Sequence, residues 1–104
     1  MDSPKDVVRV LSAISDVNRY RIVTLLCDEG AELSCSAIAG VLGLSPSLLS
    51  HHLAVLEGAG VIDRRRDGPM TLNRLRRDEL SRRLAVLHRF LNHRADSERG
   101  ADAC

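Results

Sequence analysis

The sequence is poor in aromatic residues: it has one tyrosine, Tyr20, one phenylalanine, Phe90, and no tryptophan. A hydrophobic core must therefore be built from leucine, valine, isoleucine and alanine. With 104 residues the chain is long enough for one small domain. Because a domain of this size buries only a modest share of its surface, we expect dimerisation to contribute to its stability.

Cysteines and long apolar runs are also scarce. The three cysteines, Cys27, Cys35 and Cys104, are odd in number and lack CxxC spacing. This argues against a secreted disulfide framework and against a structural zinc knuckle. No apolar run approaches the ~18 residues of a membrane-spanning helix, and no cleavable apolar signal opens the chain. The sequence therefore predicts a cytoplasmic location and no membrane partner.

Motifs of catalysis are missing as well. The sequence contains no glycine-rich phosphate loop, no HExxH and no nucleophile–base pair at a meaningful spacing. His51 and His52 are adjacent, so they diverge on a helix and cannot chelate one ion together. The sequence predicts that the protein is not an enzyme.

The net charge is only +1, but it is unevenly distributed. Residues 1–60 carry four basic and seven acidic groups, whereas residues 61–104 carry eleven arginines and seven acids. A basic second half is typical of a surface that faces phosphates. The alternative is a solvated arginine-rich surface.

Two short amphipathic helices are predicted between residues 33 and 60, joined by a turn at 43–45. Ser45 and Pro46 are suited to the N-cap and first helical position of the second helix. Leucines at 49, 53 and 56 share one face, and Gly60 ends the helix. This is the helix-turn-helix pattern; the alternative is an ordinary helical hairpin. The outer face of the second helix carries five residues whose side chains are suited to contacts with base edges in a major groove. These are Ser47, Leu48, Ser50, His51 and His52.

After Gly60 the apolar period changes to two. The runs 61–66 and 69–75 flank Asp67-Gly68, which predicts a hairpin in which both turn residues have positive φ. Pro69 suits an exposed or edge position. Such a ribbon is the wing of a winged helix, and its arginines are candidates for contacts with phosphates or the minor groove: Arg64, Arg65, Arg66 and Arg74. The alternative is that these charges keep an edge hairpin soluble.

The terminal helices are candidates for a dimer interface. The first, at about 4–15, is amphipathic, and the last, at about 78–94, has leucines in an a/d seam. The seam could instead dock on the core of its own subunit. We predict a domain over 1–94 and a mobile tail over 95–104. The predicted interface residues are Val7, Leu11, Leu80, Leu84, Leu87 and Leu91.

Over about residues 5–94 the chain resembles the ArsR/SmtB family of winged-helix repressors. The resemblance rests on three segments: Asp16-Val17-Asn18-Arg19-Tyr20-Arg21-Ile22; Ser45-Pro46-Ser47-Leu48-Leu49-Ser50-His51-His52-Leu53; and Glu57-Gly58-Ala59-Gly60-Val61-Ile62. The family has Asp-Pro-x-Arg-x-x-Ile, Ser-Gln-x-x-x-Ser-x-His-Leu and Glu-Ala-Gly-Leu-Val at these places.

The resemblance implies a mainly α winged helix-turn-helix with about five helices and a two-stranded wing, dimeric through its terminal helices. It implies a homodimeric transcriptional regulator of double-stranded DNA that an effector shifts off the operator. Positions carried over from the family make Ser45, Ser47, Ser50 and His52 candidate DNA contacts. Pro46 replaces the family glutamine and removes one base-reading side chain.

The thiolate metal motif of the family is altered. The family has Glu-Leu-Cys-Val-Cys-Asp-Leu where this chain has Glu32-Leu33-Ser34-Cys35-Ser36-Ala37-Ile38. Soft metals select thiolates, and both ligand cysteines are serines here, so we reject the usual trithiolate site. Cys27 and Cys35 flank one loop, either as a redox or metalloid pair or as two small core residues.

The last helix suggests a different effector. His93-Arg94-Ala95-Asp96 resembles the second half of the family's His and carboxylate site, whereas its first half falls on Leu80 and Arg82. Across a two-fold axis His88, His93 and Asp96 are candidate ligands for zinc, nickel or cobalt. The leading hypothesis is a regulator with such a metal effector. The alternatives are surface histidines, a thiol sensor, or a protein-interaction module that needs a partner or co-regulator.

Overall fold

The computed structural model describes the backbone of residues 3–101 and the side chains of residues 3–92 except residue 29. In chain order the elements are α1 (Pro4–Ile14), α2 (Val17–Glu29), β1 (Leu33–Ser34), α3 (Cys35–Leu42), α4 (Pro46–Gly58), β2 (Ile62–Asp67), β3 (Met70–Leu75) and α5 (Arg77–Ala101). This order confirms the predicted winged helix-turn-helix, with α3 and α4 as its two helices and β2–β3 as its wing.

Short polar side chains determine where the helices begin. The Asp16 carboxylate accepts from the backbone N–H groups of Asn18 and Arg19 at 2.8 and 3.2 Å. The Ser34 hydroxyl accepts from Ala37 at 3.1 Å, and Ser45 caps α4 in the same way. Each cap satisfies an N–H that has no partner within its own helix. The Ser45 cap predicted from the sequence is therefore confirmed.

Helix α4 lies at the centre of the core. Its Leu49, Leu53 and Leu56 are almost fully buried, as the predicted stripe requires. Helices α1, α2 and α3 and strand β2 all pack against α4. The other elements contribute these buried side chains: Val10 and Ala13; Ile22, Val23 and Leu26; Ile38; Val61, Ile62 and Leu75.

The sheet has one strand more than predicted. Its order is β1-β3-β2, antiparallel throughout, with Leu33 opposite Asn73 in the short pairing of β1 with β3. Asp67 pairs with Met70, so the two-residue turn is Gly68-Pro69 and not Asp67-Gly68. The predicted turn was therefore wrong by one residue. Proline holds φ near −65°, so only Gly68, at φ +61°, has positive φ, as in a type II′ turn.

The predicted dimer seam is divided in the structure. Leu80 and Leu84 of α5 pack against the core of their own subunit, so the seam is not a single exposed surface. Leu87 and Leu91 are exposed at 37% and 61%. On α1, Val7 is half-buried whereas Leu11 is exposed. Hence only part of each predicted set is available to a partner.

Helix α5 continues past residue 94 to Ala101. The predicted mobile tail begins inside this span, and its side chains lie outside the described residues, as does Cys104. In the described part of the chain no single helix is long and apolar enough to cross a membrane. The pair α3 and α4 meets that length and composition only together, with a bend of 113° between the two helices.

Candidate nucleic-acid interface

The start of α4 presents an exposed polar face. Ser47, Ser50 and His51 are exposed, and Leu48 is 42% exposed among them. These positions lie away from the buried leucines because successive residues of a helix are about 100° apart. Ser45 is exposed too, and its hydroxyl oxygen accepts from the Leu48 N–H at 3.3 Å. This face has the donors and acceptors that base edges require.

His52 does not belong to this face, so the prediction that it lies on the outer surface of the helix was wrong. Its side chain is buried, with 5% of the residue exposed. Its Nδ1 lies 3.2 Å from Arg19 Nη1, and its Nε2 lies 4.0 Å from Asp16 Oδ1. The physical reason is its spacing: His52 follows Leu49 by three residues and precedes Leu56 by four, which puts it on the apolar stripe.

The four wing arginines have different environments. Arg65 makes a bidentate pair with Glu32, with both N···O distances 2.8 Å, and Arg74 pairs with Asp63 at 2.8 Å. Arg64 is half-buried, and its Nε donates to Asn73 Oδ1 at 3.0 Å. Arg66 is exposed and, among the described residues, makes no ion pair.

These partners revise the predicted wing. Arg64 turns toward the body of the domain, where its Nη1 also approaches Glu57 at 3.9 Å. Arg65 and Arg74 lie at the surface but are neutralised by neighbouring carboxylates. A guanidinium that is already paired has less attraction left for a phosphate. Among the four, Arg66 is therefore the best placed to meet an added anion.

The Glu32–Arg65 pair is also visible in the ionisation of its members. The hydrogen bonds from the Arg65 guanidinium hold the pKa of Glu32 below its ordinary value of 4.5. In turn, Glu32 raises the pKa of Arg65. Glu32 precedes β1 and Arg65 lies on β2, so the pair joins the two outer strands of the sheet.

Sequence reasoning missed Asn73, which is fully buried in β3. Its Nδ2 donates to the Leu33 carbonyl at 3.1 Å and approaches Cys35 Sγ at 3.5 Å, while its Oδ1 accepts from Arg64. The amide thus connects β1, β2 and the start of α3. The available signal was alternation: Thr71, Asn73 and Leu75 fall on one face of a strand whose other face carries Arg74.

The start of α4 and the wing are neighbours. A cleft of about 260 Å³ separates them. It is lined by Cys35, Ser36 and Ala39 of α3, Pro46, Leu49 and Ser50 of α4, and Arg64 of β2. The polar face of α4 and the base of the wing therefore lie beside each other.

The described cysteines are separate free thiols. Cys27 is exposed. Its Sγ accepts a hydrogen bond from Arg77 Nη1 at 3.3 Å, and its backbone carbonyl accepts one from Arg77 Nη2 at 3.0 Å. Cys35 is half-buried, with Arg64 Nη2 3.7 Å from its sulfur. Each sulfur therefore contacts a different arginine, and Cys27 and Cys35 do not form a disulfide with each other.

The predicted metal ligands are described only in part. His88 is exposed on α5, and its Nε2 lies 3.1 Å from Asn92 Nδ2. The side chains of His93 and Asp96 lie outside the described residues. Within the described part of the chain, no three His, Cys, Asp or Glu side chains are grouped so that they would hold a metal ion.

Comparisons with known proteins place this geometry in context. Residues 16–64 match the family model described as "Bacterial regulatory protein, arsR family". The transcriptional activator HlyU of Vibrio cholerae is 34% identical over 89 residues, which cover 86% of this chain and 80% of the relative. An ArsR-like transcriptional regulator from Rhodococcus sp. RHA1 has a TM-score of 0.77 and 27% identity, with 93% of this chain and 89% of that chain covered.

A further relative matches over a shorter span. The putative arsenical resistance operon repressor of Halobacterium salinarum is 41% identical over 61 residues, or 59% of this chain. The match covers 47% of that repressor, so this chain spans about half of its length. The chain is therefore similar to proteins named as an activator and as a repressor.

The Glu32–Arg65 pair makes the stability of the domain depend on pH. Because the pKa of Glu32 is lowered in the folded state, its contribution is present above pH 4.5 and is lost as the pH falls through the lower, folded value. When the pH is lowered from about 7 to about 3, we expect the free energy of unfolding to fall less in Glu32→Gln than in the wild type. Urea unfolding at both pH values measures this difference.

Arg65→Gln is the matched variant because it removes the other half of the same pair. It should show the same reduced pH dependence as Glu32→Gln. If the free energy of unfolding varied with pH in the same way in the wild type and in Glu32→Gln, the contribution assigned to the Glu32–Arg65 pair would be contradicted.

Proposed function

Because this chain belongs to the arsR family of bacterial regulatory proteins, we propose that it regulates transcription by binding double-stranded DNA as a homodimer. One observation carries the proposal: the exposed polar face of α4 and the base of the arginine-bearing wing border one cleft. A helix that enters a major groove while its neighbouring hairpin meets the flanking backbone needs this adjacency.

The two surfaces have different tasks. Ser47, Ser50 and His51 contact base edges, because short hydroxyls and an imidazole reach donors and acceptors in the groove. Arg66 contacts phosphates, which fixes position without reading sequence. Arg65 and Arg74 add to the positive surface only to the extent that Glu32 and Asp63 release them.

The exposed apolar side chains support dimerisation. Helices α1 and α5 pack on each other, and their described residues expose five large apolar side chains. Side chains of this kind on two neighbouring helices indicate a surface that a partner covers. We call this set the dimer surface: Val8 and Leu11 of α1, and Leu87, Phe90 and Leu91 of α5.

Arg66→Ala tests whether the wing contacts phosphates. Each phosphate that a protein neutralises contributes about −0.9 to the slope of log K against log salt concentration. Arg66→Ala should therefore flatten the slope by about 1.8 in a dimer and weaken binding to all sequences alike. Fluorescence anisotropy over a salt series, on DNA from upstream of the gene and on a scrambled duplex, measures both effects.

Arg89→Ala is the control, because it removes one exposed arginine from α5 and leaves the wing intact. Its slope should match the wild type. An unchanged salt slope for Arg66→Ala would show that Arg66 does not contact phosphates. A wild type that binds both duplexes equally would contradict sequence-specific regulation and favour the protein-interaction alternative.

Leu91→Glu tests the dimer surface. Leu91 is 61% exposed in one subunit, so the substitution leaves the fold intact but buries an unpaired carboxylate in the interface. We expect a monomer in sedimentation velocity with unchanged helicity. Val41→Glu introduces the same charge at a 64% exposed site on α3 and should remain a dimer. A Leu91→Glu dimer would place the interface elsewhere.

For the effector, we propose a divalent metal with nitrogen and oxygen ligands, held by His88, His93 and Asp96 across the two-fold axis. His88 lies on α5 between Leu87 and Leu91, beside the dimer surface, so a metal there would act on the dimer geometry. Imidazole and carboxylate suit zinc, nickel and cobalt. The altered Ser34-Cys35-Ser36 motif has serine at both positions where the family has the cysteine ligands that soft metals prefer.

A thiol sensor is the second candidate effector mechanism. The observation that favours it is the contact of each described sulfur with an arginine side chain, which oxidation of the thiol would alter. Cys35 is the more informative thiol, because its arginine and its asparagine neighbour both belong to the wing.

The same anisotropy assay separates these two effector mechanisms. Zinc, nickel or cobalt chloride should change the affinity for operator DNA, and His88→Ala should abolish the change. If hydrogen peroxide changes the affinity instead and Cys35→Ser abolishes that response, the thiol mechanism is correct. Wild-type DNA binding that responds to neither reagent would contradict both.

A further inference from the structure

A buried histidine on the helix that meets DNA has a role that base contacts do not explain. His52 is 5% exposed, whereas its neighbour His51 is exposed. A buried imidazole must satisfy its ring nitrogens within the protein. The group that satisfies Nδ1 is the Arg19 guanidinium, with Nη1 at 3.2 Å. Because a guanidinium has no acceptor atom, Nδ1 must accept this hydrogen bond.

Arg19 belongs to α2 but connects three helices. Its Nε donates to the Ala13 carbonyl near the end of α1 at 2.6 Å, and Nη1 donates to His52 on α4. The backbone N–H of Arg19 donates to the Asp16 carboxylate at 3.2 Å, which fixes the backbone position of Arg19. The Asp16 carboxylate also lies 4.0 Å from His52 Nε2. Asp16, Arg19 and His51 are the charged or titratable neighbours of His52 that these contacts place beside it.

A second contact ties α1 to the other end of α4. Arg9 Nη2 donates to the Gly58 carbonyl at 2.8 Å, at the last residue of the helix. Helix α4 is therefore attached to α1 by directional hydrogen bonds through Arg19 near its middle and through Arg9 at its end. Apolar contacts along Leu49, Leu53 and Leu56 are non-directional, so they allow small rotations that directional bonds resist.

The consequence is a fixed relation between two functional surfaces. Helix α1 carries Val8 and Leu11 of the dimer surface, and α4 carries Ser47, Ser50 and His51. In a dimer that reads two half-sites, the protein geometry must match their spacing along the duplex. A small turn of α4 relative to α1 would move both recognition helices out of register with the base edges.

We propose that His52 and Arg19 are positioning residues for operator recognition: the Arg19–His52 hydrogen bond holds α4 in a fixed orientation to α1 without touching DNA. This inference rests on the proposed DNA-binding function. Loss of the bond should lower the preference for operator over scrambled DNA, while the salt slope, which reports phosphate contacts, stays unchanged.

The test compares four proteins in the anisotropy assay: wild type, His52→Leu, Arg19→Met and the double variant. Each single variant should lose about tenfold in the ratio of operator to scrambled affinity, an amount similar to one base contact. The double variant should lose no more than either single variant, because both remove the same bond. His52→Asn retains an acceptor near the Nδ1 position and should recover most of the ratio. Additive losses, or no recovery with asparagine, would overturn the proposal.

A second measurement reads the bond without DNA and covers the case in which a variant folds poorly. In the ¹⁵N NMR spectrum of the free wild type, His52 should carry its proton on Nε2 and leave Nδ1 unprotonated. A proton on Nδ1 would overturn the proposal. A wild type that does not distinguish operator from scrambled DNA would overturn the proposed function together with this role. Full discrimination retained by a folded His52→Leu would overturn this role alone.

Discussion

The burial of one face of α4 governs how the other elements are arranged. Helices α1, α2 and α3 and strand β2 surround the buried Leu49, Leu53 and Leu56. Helix α4 is therefore both the centre of the core and the proposed DNA-recognition helix. Burying such leucines contributes roughly 1.5–3 kcal/mol each. Since that face is committed to the core, the opposite face of the same helix has to be presented outward. The exposed serines and His51 are the result.

Electrostatics refine what packing establishes. The basic second half of the chain suggested a uniformly positive wing, but the structure pairs Arg65 and Arg74 with carboxylates and draws Arg64 toward Asn73. Arginine therefore serves two purposes here: it joins strands and helices through directional hydrogen bonds, and at Arg66 it remains available to a partner. Counting arginines along the sequence cannot separate these purposes, since a carboxylate such as Glu32 lies 33 residues from the arginine that it pairs with.

Much of the fold was predictable because it depends on local rules. The Ser45 helix cap, the apolar stripe of α4 and the hairpin all follow from short-range geometry, and the structure confirms them. The errors have physical causes. The turn shifted by one residue because Pro69 has no N–H with which to close an Asp67-Gly68 turn on Arg66. The polar character of His52 predicts an outward position, but its spacing from Leu49 and Leu56 puts it on the buried stripe.

Local signals in the sequence are sufficient to predict the helix-turn-helix, the hairpin, the two terminal helices and the family, because caps, turns and apolar periodicity act over a few residues. Which polar groups are available to a partner and which are structural depends on the tertiary fold. Arg19, His52, Asn73 and Glu32 meet partners far along the chain, and Leu84 packs inward while Leu91 stays exposed on the same helix. Hydrogen bonds and burial depend on distance in space, which sequence spacing beyond one or two helical turns does not specify.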